Sequence, residues 1–360
     1  MNFNAMLSCV KQMERIPIPL KVPALSREDI HRLLSKRMRY EGLDQLFGHF
    51  THVYMKYLAQ AMDQYTWFRY VESEAKNHIF KKMATDKLYR LLKKQKHPNI
   101  CAGNEHGMVI SDVAVGLTHR GVNYKAVNED GFGIFCHPDF LRLVVCDGVG
   151  DCLVGEVASY VILDLFDKHP DRSSYEVFQV ACRKLRKLEQ ALCEIIPEFE
   201  CFPNEVSQAA ATALTITGNE CEVSQVGDVL LFWSRDDHME MLSPMGQWLD
   251  LDQLSDLFAD NNYLASRHII SNAIGKNYDP DWKPWSFEMK PGDVLVLASD
   301  GIETLHPQEV HRMIQTHADP RELVDALFKE IIQANMKWQT PSAPIYTKPD
   351  NATVVVYQHK

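Results

Sequence analysis

From about residue 108 onward, short apolar runs alternate with stops made of charged residues or glycine. MVISDVAVGLT, GFGIF, LRLVVC, ATALTITG, CEVSQVG, VLLFW, DVLVLAS and ATVVVYQ are rich in β-branched and aromatic residues and bounded by Gly, Asp or Asn, which predicts β-strands. VGEVASYVILDLFDKH and SYEVFQVACRKLRKLEQALCEII, and later PQEVHRMIQTH and RELVDALFKEIIQANMKW, carry apolar residues at helical spacing. The helices come in pairs and do not alternate one for one with the strands. That order disfavours a doubly wound parallel sheet and predicts antiparallel sheets covered by helices.

Ahead of this region the texture is helical. Ser26 stands three residues before Asp29, close to a capping-box arrangement, and IHRLLSKRM follows with helical periodicity. LDQLFGHFTHVYMKYLAQAMDQYTWFRYV and VESEAKNHIFKKMATDKLYRLLKKQKH extend the pattern until Pro98 stops it. HPNICAGNEHG, residues 97–107, reads as a linker. The expected organisation is a helical extension over 1–100, a linker over 101–107 and a β-rich domain over 108–360. His49 and His52 lie at i and i+3, but no carboxylate joins them at metal-site spacing, and a packed helix face is the plainer reading.

Charge divides the chain at the same place. Residues 21–97 hold 16 Lys and Arg against 8 acids, whereas residues 98–360 hold 20 against 39, within a net charge of −10. A basic front segment is thus joined to an acidic body, and the extension is expected to dock a partner or the body itself. It carries no strong nucleic-acid or membrane signal. No apolar run approaches the roughly 18 residues that span a bilayer, and MNFNAMLSCVKQMERI lacks the pattern of a secretory signal. Nine cysteines without a CxxC pair argue against a disulfide framework or structural zinc and suit a reducing cytoplasm.

Acidic residues gather where strands are predicted to stop: Asn128-Glu129-Asp130, Asp147-Gly148, Gly227-Asp228, Asp300-Gly301 and Asp350-Asn351. A single Asp-Gly is an ordinary turn signal. Five such spots, if their strand ends converge, put several carboxylates in one small volume, where they cannot all stay ionised without a counter-charge. Mg2+ or Mn2+ supplies that charge and takes carboxylate, carbonyl and water ligands. Glycine after Asp147 lets a backbone carbonyl approach the ion.

The ordered set KAVNED, VVCDGVGD…GEVAS, AAATALTI…SQVGD, SNAIG, KPGDVLVLASDGI and KPDNATVVV, spanning residues 108–358, resembles the PPM-type metal-dependent serine/threonine protein phosphatases, also called the protein phosphatase 2C family. The resemblance implies an α+β fold, a four-layer αββα sandwich of two antiparallel sheets flanked by helices. It implies a centre of two Mn2+ or Mg2+ ions in which Asp147 bridges both, Gly148 offers its carbonyl, and Asp300 and Asp350 complete the direct ligands. Glu129 and Asp130 would hold metal-bound waters or the second ion, with Asp130 counted among the metal residues. Asp228 matches an acid used for a third, looser ion. Asp147 and Asp300 become the catalytic pair, and a metal-bridging hydroxide would attack phosphoserine or phosphothreonine in line. A phosphoprotein is the implied substrate and a cognate Ser/Thr kinase the implied partner.

Four positions depart from that family's pattern. Lys125 stands where an Arg usually grips phosphate, keeping charge but losing the bidentate fork, and Arg120 is close enough in sequence to serve instead. Val149 replaces a histidine that many members carry, Asp151 replaces a glycine, and Thr304 stands where a further Asp often follows SDG. Cys9 and Arg15 have the spacing of a cysteine phosphatase loop, but CVKQMER lacks the glycines such a loop needs. The rival reading is a binding or regulatory protein that keeps the phosphatase fold with weak or no catalysis.

Overall fold

The computed structural model describes residues 99–102, 106–111, 113–121, 128–149, 155–195, 207–242, 247–267, 272–275, 284–338, 340, 343–344 and 346–360. The helical readings over residues 1–97, with Cys9, His49 and His52, lie outside the described residues, as do Lys125 and Asp151.

Thirteen strands among the described residues form two wholly antiparallel sheets. One orders β1 (Ile100–Ala102), β4 (Gly131–Cys136), β5 (Leu141–Gly148), β6 (Ala209–Thr217), β7 (Glu220–Val226) and β11 (Trp285–Glu288). The other orders β10 (Trp248–Asp250), β9 (His238–Leu242), β8 (Leu230–Arg235), β12 (Val294–Ala298), β13 (Ala352–Gln358), β3 (Ala114–His119) and β2 (His106–Ile110). Helices α1 (Gly155–Lys168) and α2 (Ser174–Ile195) connect β5 to β6. Two shorter helices, α3 (Leu251–Ala259) and α4 (Asn261–Ser266), follow β10, while α5 (Pro307–Thr316) and α6 (Pro320–Lys337) precede β13.

Strand periodicity assigns the layers. In β5, Leu143 and Val145 face the second sheet, while Val144 and Cys146 face α1 and α2, and all four are fully buried. In β12, Leu295 and Leu297 face the first sheet while Val296 and Ala298 face α5 and α6. Both faces of these central strands are therefore covered. This explains why they read as unbroken apolar runs rather than alternating ones. Three apolar layers result: α1 and α2 on the first sheet, sheet on sheet, and the second sheet on α3, α5 and α6. The expected αββα sandwich is the observed fold.

Two local features differ from the sequence reading. The stretch read as a linker, residues 97–107, holds β1 and the first two residues of β2, one strand in each sheet, and its apolar run is too short to stand out. MVISDVAVGLT is not one strand but a hairpin of β2 and β3, turned where the Ser111 Oγ accepts from the Ala114 N–H at 2.9 Å.

The end of the sandwich away from the acidic strand stops is closed by aromatic rings and one ion pair. Trp233, Trp248, Trp285 and Phe287 stack with ring centroids 5.2–5.8 Å apart. Beside them, buried Asp293 accepts from the Arg235 Nε at 2.8 Å and Nη2 at 2.7 Å, from the Trp233 indole at 3.1 Å and from the Lys290 N–H at 2.9 Å. Burial raises the Asp293 carboxyl, but these donors outweigh it and the group titrates below the usual carboxylate range. A depressed carboxyl contributes stability that is fully present above its unfolded pKa of about 3.9. That contribution fades as pH falls through the folded value. Asp293→Asn should therefore cost about 2 kcal/mol in urea unfolding at pH 7, the partial exposure of Arg235 keeping the loss below that of a fully buried pair. The gap between variant and wild type should narrow below pH 4.

Candidate functional site

Strand register carries the acids to a common edge. Gly148 at the end of β5 pairs with Ala209 at the start of β6, and Gly131 at the start of β4 pairs with Cys146. In the second sheet Ala298 at the end of β12 pairs with Leu230 and Val354, and Ala352 pairs with His119 at the end of β3. Residues 128–130, Asp147, Asp228, Asp300 and Asp350 therefore leave the two sheets at one end of the sandwich. Asp300 opens a 3-10 turn over Asp300–Thr304, directly after β12.

Close packing fixes the backbone there. A Cβ on Gly148 would lie 2.6 Å from the Gly155 carbonyl carbon and 2.7 Å from the Glu129 oxygen, so only glycine passes between β4 and α1. A Cβ on Gly301 would meet the Asn351 carbonyl and lie 3.0 Å from the Ala352 Cα. Each Asp-Gly pair is thus a place where the backbone passes closely against neighbouring chain of its own half of the sandwich.

A buried hydrogen-bond network holds the acids. The Ser299 Oγ donates to Asp130 Oδ2 at 2.6 Å and accepts from the Thr353 N–H at 2.9 Å, tying the first sheet to the second. The Asn351 Oδ1 accepts from the Glu129 N–H at 2.8 Å, and its amide donates to the Arg120 carbonyl at 2.7 Å. The Asn128 amide donates to the Thr118 Oγ1 at 2.7 Å, which lies 2.7 Å from the Thr353 hydroxyl. The Glu129 carbonyl accepts from the Ser159 hydroxyl at 2.7 Å and from the Gly148 N–H at 3.2 Å. The Asp300 N–H points to Asp147 Oδ2 at 3.5 Å.

The electrostatics show how near the carboxylates are. Burial, above all, holds the Asp147 carboxyl well above its ordinary range, and the charges of Asp130, Asp300, Asp228 and Asp350 raise it further. Asp130 is pushed up to about 8 by burial, against the Ser299 hydrogen bond and with repulsion from Asp350 and Asp300. Asp228 is pushed up to about 7 by burial and by Asp300, with Lys348 acting against them. Its buried Oδ1 has no hydrogen-bond partner.

Every predicted acid thus lies at this mouth. The donors, carboxylate oxygens and a backbone carbonyl, suit a hard divalent cation, and the buried Asp228 Oδ1 lacks a hydrogen-bond partner. They do not form a closed shell: among the described residues no three His, Cys, Asp or Glu side chains are placed to hold one metal ion. Ser299 takes Asp130, the Asn351 N–H takes Asp350 at 2.7 Å, and the Lys348 ammonium sits directly on Asp300 Oδ2.

Of the residues that departed from the expected pattern, Val149 is at the rim and donates its N–H to the Gln208 carbonyl at 3.0 Å. Thr304 is buried and faces the chain near Lys348 rather than the other acids. Sequence reasoning missed Ser299, Asn351 and Lys348 as parts of the site. The available signal was their position, one or two residues from an acid at a strand boundary.

No protein-family model matches this chain, and no curated protein matches it. Its fold is that of a serine/threonine phosphatase from S. agalactiae, with a TM-score of 0.50 at 17% identity over 69% of this chain and 99% of that one. The structure of PstP/Ppp, a serine/threonine phosphatase of Mycobacterium tuberculosis, aligns with a TM-score of 0.49 at 20% identity over 69% of this chain and 98% of that one. PppA, a regulatory component of the T6SS in Pseudomonas aeruginosa, aligns with a TM-score of 0.47 at 21% identity over 72% and 99%. At 17% identity the likeness to the S. agalactiae structure shows the fold alone.

Asn351 gives this site its clearest structural test. Its side chain satisfies one donor and one acceptor at the two ends of the connection between β3 and β4, so Asn351→Ala leaves both without it. A loss of about 2 kcal/mol is expected from removing one buried and one part-buried hydrogen bond. Chemical denaturation checks it; a change below about 0.5 kcal/mol would show that Asn351 does not hold the β3–β4 connection to the start of β13.

Proposed function

We propose that this chain is a metal-dependent phosphatase that hydrolyses phosphoserine or phosphothreonine on proteins. One observation carries the reading: five carboxylates from both sheets converge at one sandwich mouth, on a fold shared with a serine/threonine phosphatase. Asp147, Asp300, Asp350 and the Gly148 carbonyl would hold two Mn2+ or Mg2+ ions, with Asp130 and Glu129 beside them and Asp228 available to a third. When bound, such ions lower the pKa of a water and clamp the phosphoryl oxygens.

The chain's own contribution is positioning and charge. Apolar strands with buried flanks hold Asp147 and Asp300 at fixed points on opposite sheets, so an anionic substrate meets a site that is already organised. Ser299 and Asn351 fix Asp130 and Glu129 by hydrogen bonds that need no rearrangement as charge develops. Val149 carries no acid, so the departing alkoxide takes its proton from water. Lys125 is the favoured phosphate-binding cation, and Arg120 is the alternative.

A second reading has its own support. With Lys348 seated on Asp300 and no closed carboxylate shell among the described residues, the fold could serve as a phosphoprotein-binding or regulatory module without turnover. The basic residues of 21–97 complement the acidic body, which supports an extension that docks on it or on a partner. Among the described residues no helix is long and apolar enough to cross a membrane. With the cysteine usage, this supports the proposal of a cytoplasmic setting.

The test is hydrolysis of p-nitrophenyl phosphate and a phosphothreonine peptide with Mn2+. Turnover should require the metal and fall by roughly 100-fold or more in Asp147→Asn and Asp300→Ala. Bound Mn2+ with no turnover on either substrate favours the binding module. In a chain cut before residue 98, changed basal turnover would support docking on the body, and unchanged turnover with altered partner binding would support the partner role.

A further inference from the structure

Lys348 has a place that the phosphatase reading does not require. Its ammonium contacts Asp300 Oδ2 and lies 4.0 Å from Glu303 Oε2, with little of the side chain exposed. The backbone beneath it is clamped on both sides by Thr304. That hydroxyl accepts from the Lys348 N–H at 2.9 Å and donates to the Lys348 carbonyl at 2.5 Å, with Asn335 Oδ1 at 3.0 Å. Arg267 reinforces the same loop, donating to the Tyr346 carbonyl at 2.6 Å. Lys348 is therefore a built-in cation, not a surface lysine that happens to lie close.

The second carboxylate within its reach is prepared but not fully used. Glu303 is buried, and its Oε1 accepts from the Tyr263 hydroxyl. Its Oε2 has no hydrogen bond, with Arg267 Nε at 3.8 Å and the Lys348 ammonium at 4.0 Å. A divalent ion on Asp300 Oδ2 needs the lone pairs the ammonium now occupies, and the two cations repel at contact distance. A shift of the ammonium to Glu303 Oε2 removes the conflict without exposing a charge.

We propose that Lys348 is a displaceable internal counter-ion, seated on Asp300 when no metal is bound and on Glu303 when a divalent cation takes Asp300. Thr304, at the position where an acid was expected from the sequence resemblance, holds the peptide from which that lysine swings. The inference rests on the metal-site reading of the mouth and adds a cost to loading it: metal affinity is set partly by a lysine of the chain itself.

Mn2+ binding to the full chain, measured by isothermal titration calorimetry with no substrate present, tests this. Lys348→Met should tighten Mn2+ binding by about 10-fold, since the competitor is gone, and should lower the Tm of the metal-free protein. Glu303→Gln, which weakens the alternative seat, should loosen Mn2+ binding several-fold in the wild-type background and leave it unchanged in the Lys348→Met background. Equal Mn2+ affinity in wild type and Lys348→Met would overturn the counter-ion role while leaving the metal site intact. No Mn2+ binding in wild type or either variant would overturn the metal-site reading and this inference with it.

Discussion

Carboxylates crowded at the mouth of a dry two-sheet core repel one another, and the rest of this structure is arranged around that repulsion. Burial and neighbouring charge together hold Asp147 well above its ordinary range and push Asp130 up to about 8. Such a cluster is costly to fold and is sustained only because the strands beneath it are heavily anchored. Leu143, Val144 and Val145 each lie in the apolar interior, where a large aliphatic side chain contributes about 1.5–3 kcal/mol. The core stabilises; the mouth draws on that stability to hold charge in place.

The same constraint explains the polar residues between the sheets. Ser299, Thr353, Thr118, Asn128 and Asn351 form a buried seam in which hydrogen bonds cross from one sheet to the other. A seam of this kind fixes position more than it adds stability, because buried polar groups only roughly recover their desolvation. Position is what the chemistry needs. The aromatic end of the sandwich, with Arg235 forked onto Asp293, solves a different problem by sealing the sheets where no function is proposed.

Much of this was legible in the sequence, for a physical reason. Central strands buried on both faces read as apolar runs, so β5, β6, β12 and β13 stand out, and charges that stop such runs mark the mouth. Short strands at and next to a sheet edge do not stand out. HMEML and WLD, which became β9 and β10, are short and partly exposed, and LDQLSDLFA, which became α3, is marked by its Asp250 and Gln253 capping box only once its ends are known. The partners of the acids were hidden for another reason. Ser299 is 169 residues from Asp130 and Asn351 is 222 from Glu129, so only the register of both sheets reveals the pairs. Thr304 read as the loss of an acid, whereas in the fold it anchors the Lys348 peptide.

The most direct measurement is anomalous diffraction from crystals of the full chain grown with Mn2+. The predicted result is Mn2+ density against Asp147 and Asp300, with the Lys348 ammonium moved from Asp300 towards Glu303. An ordered mouth with no Mn2+ at these carboxylates, and Lys348 still on Asp300, would contradict the central claim that this cluster is a divalent-metal site.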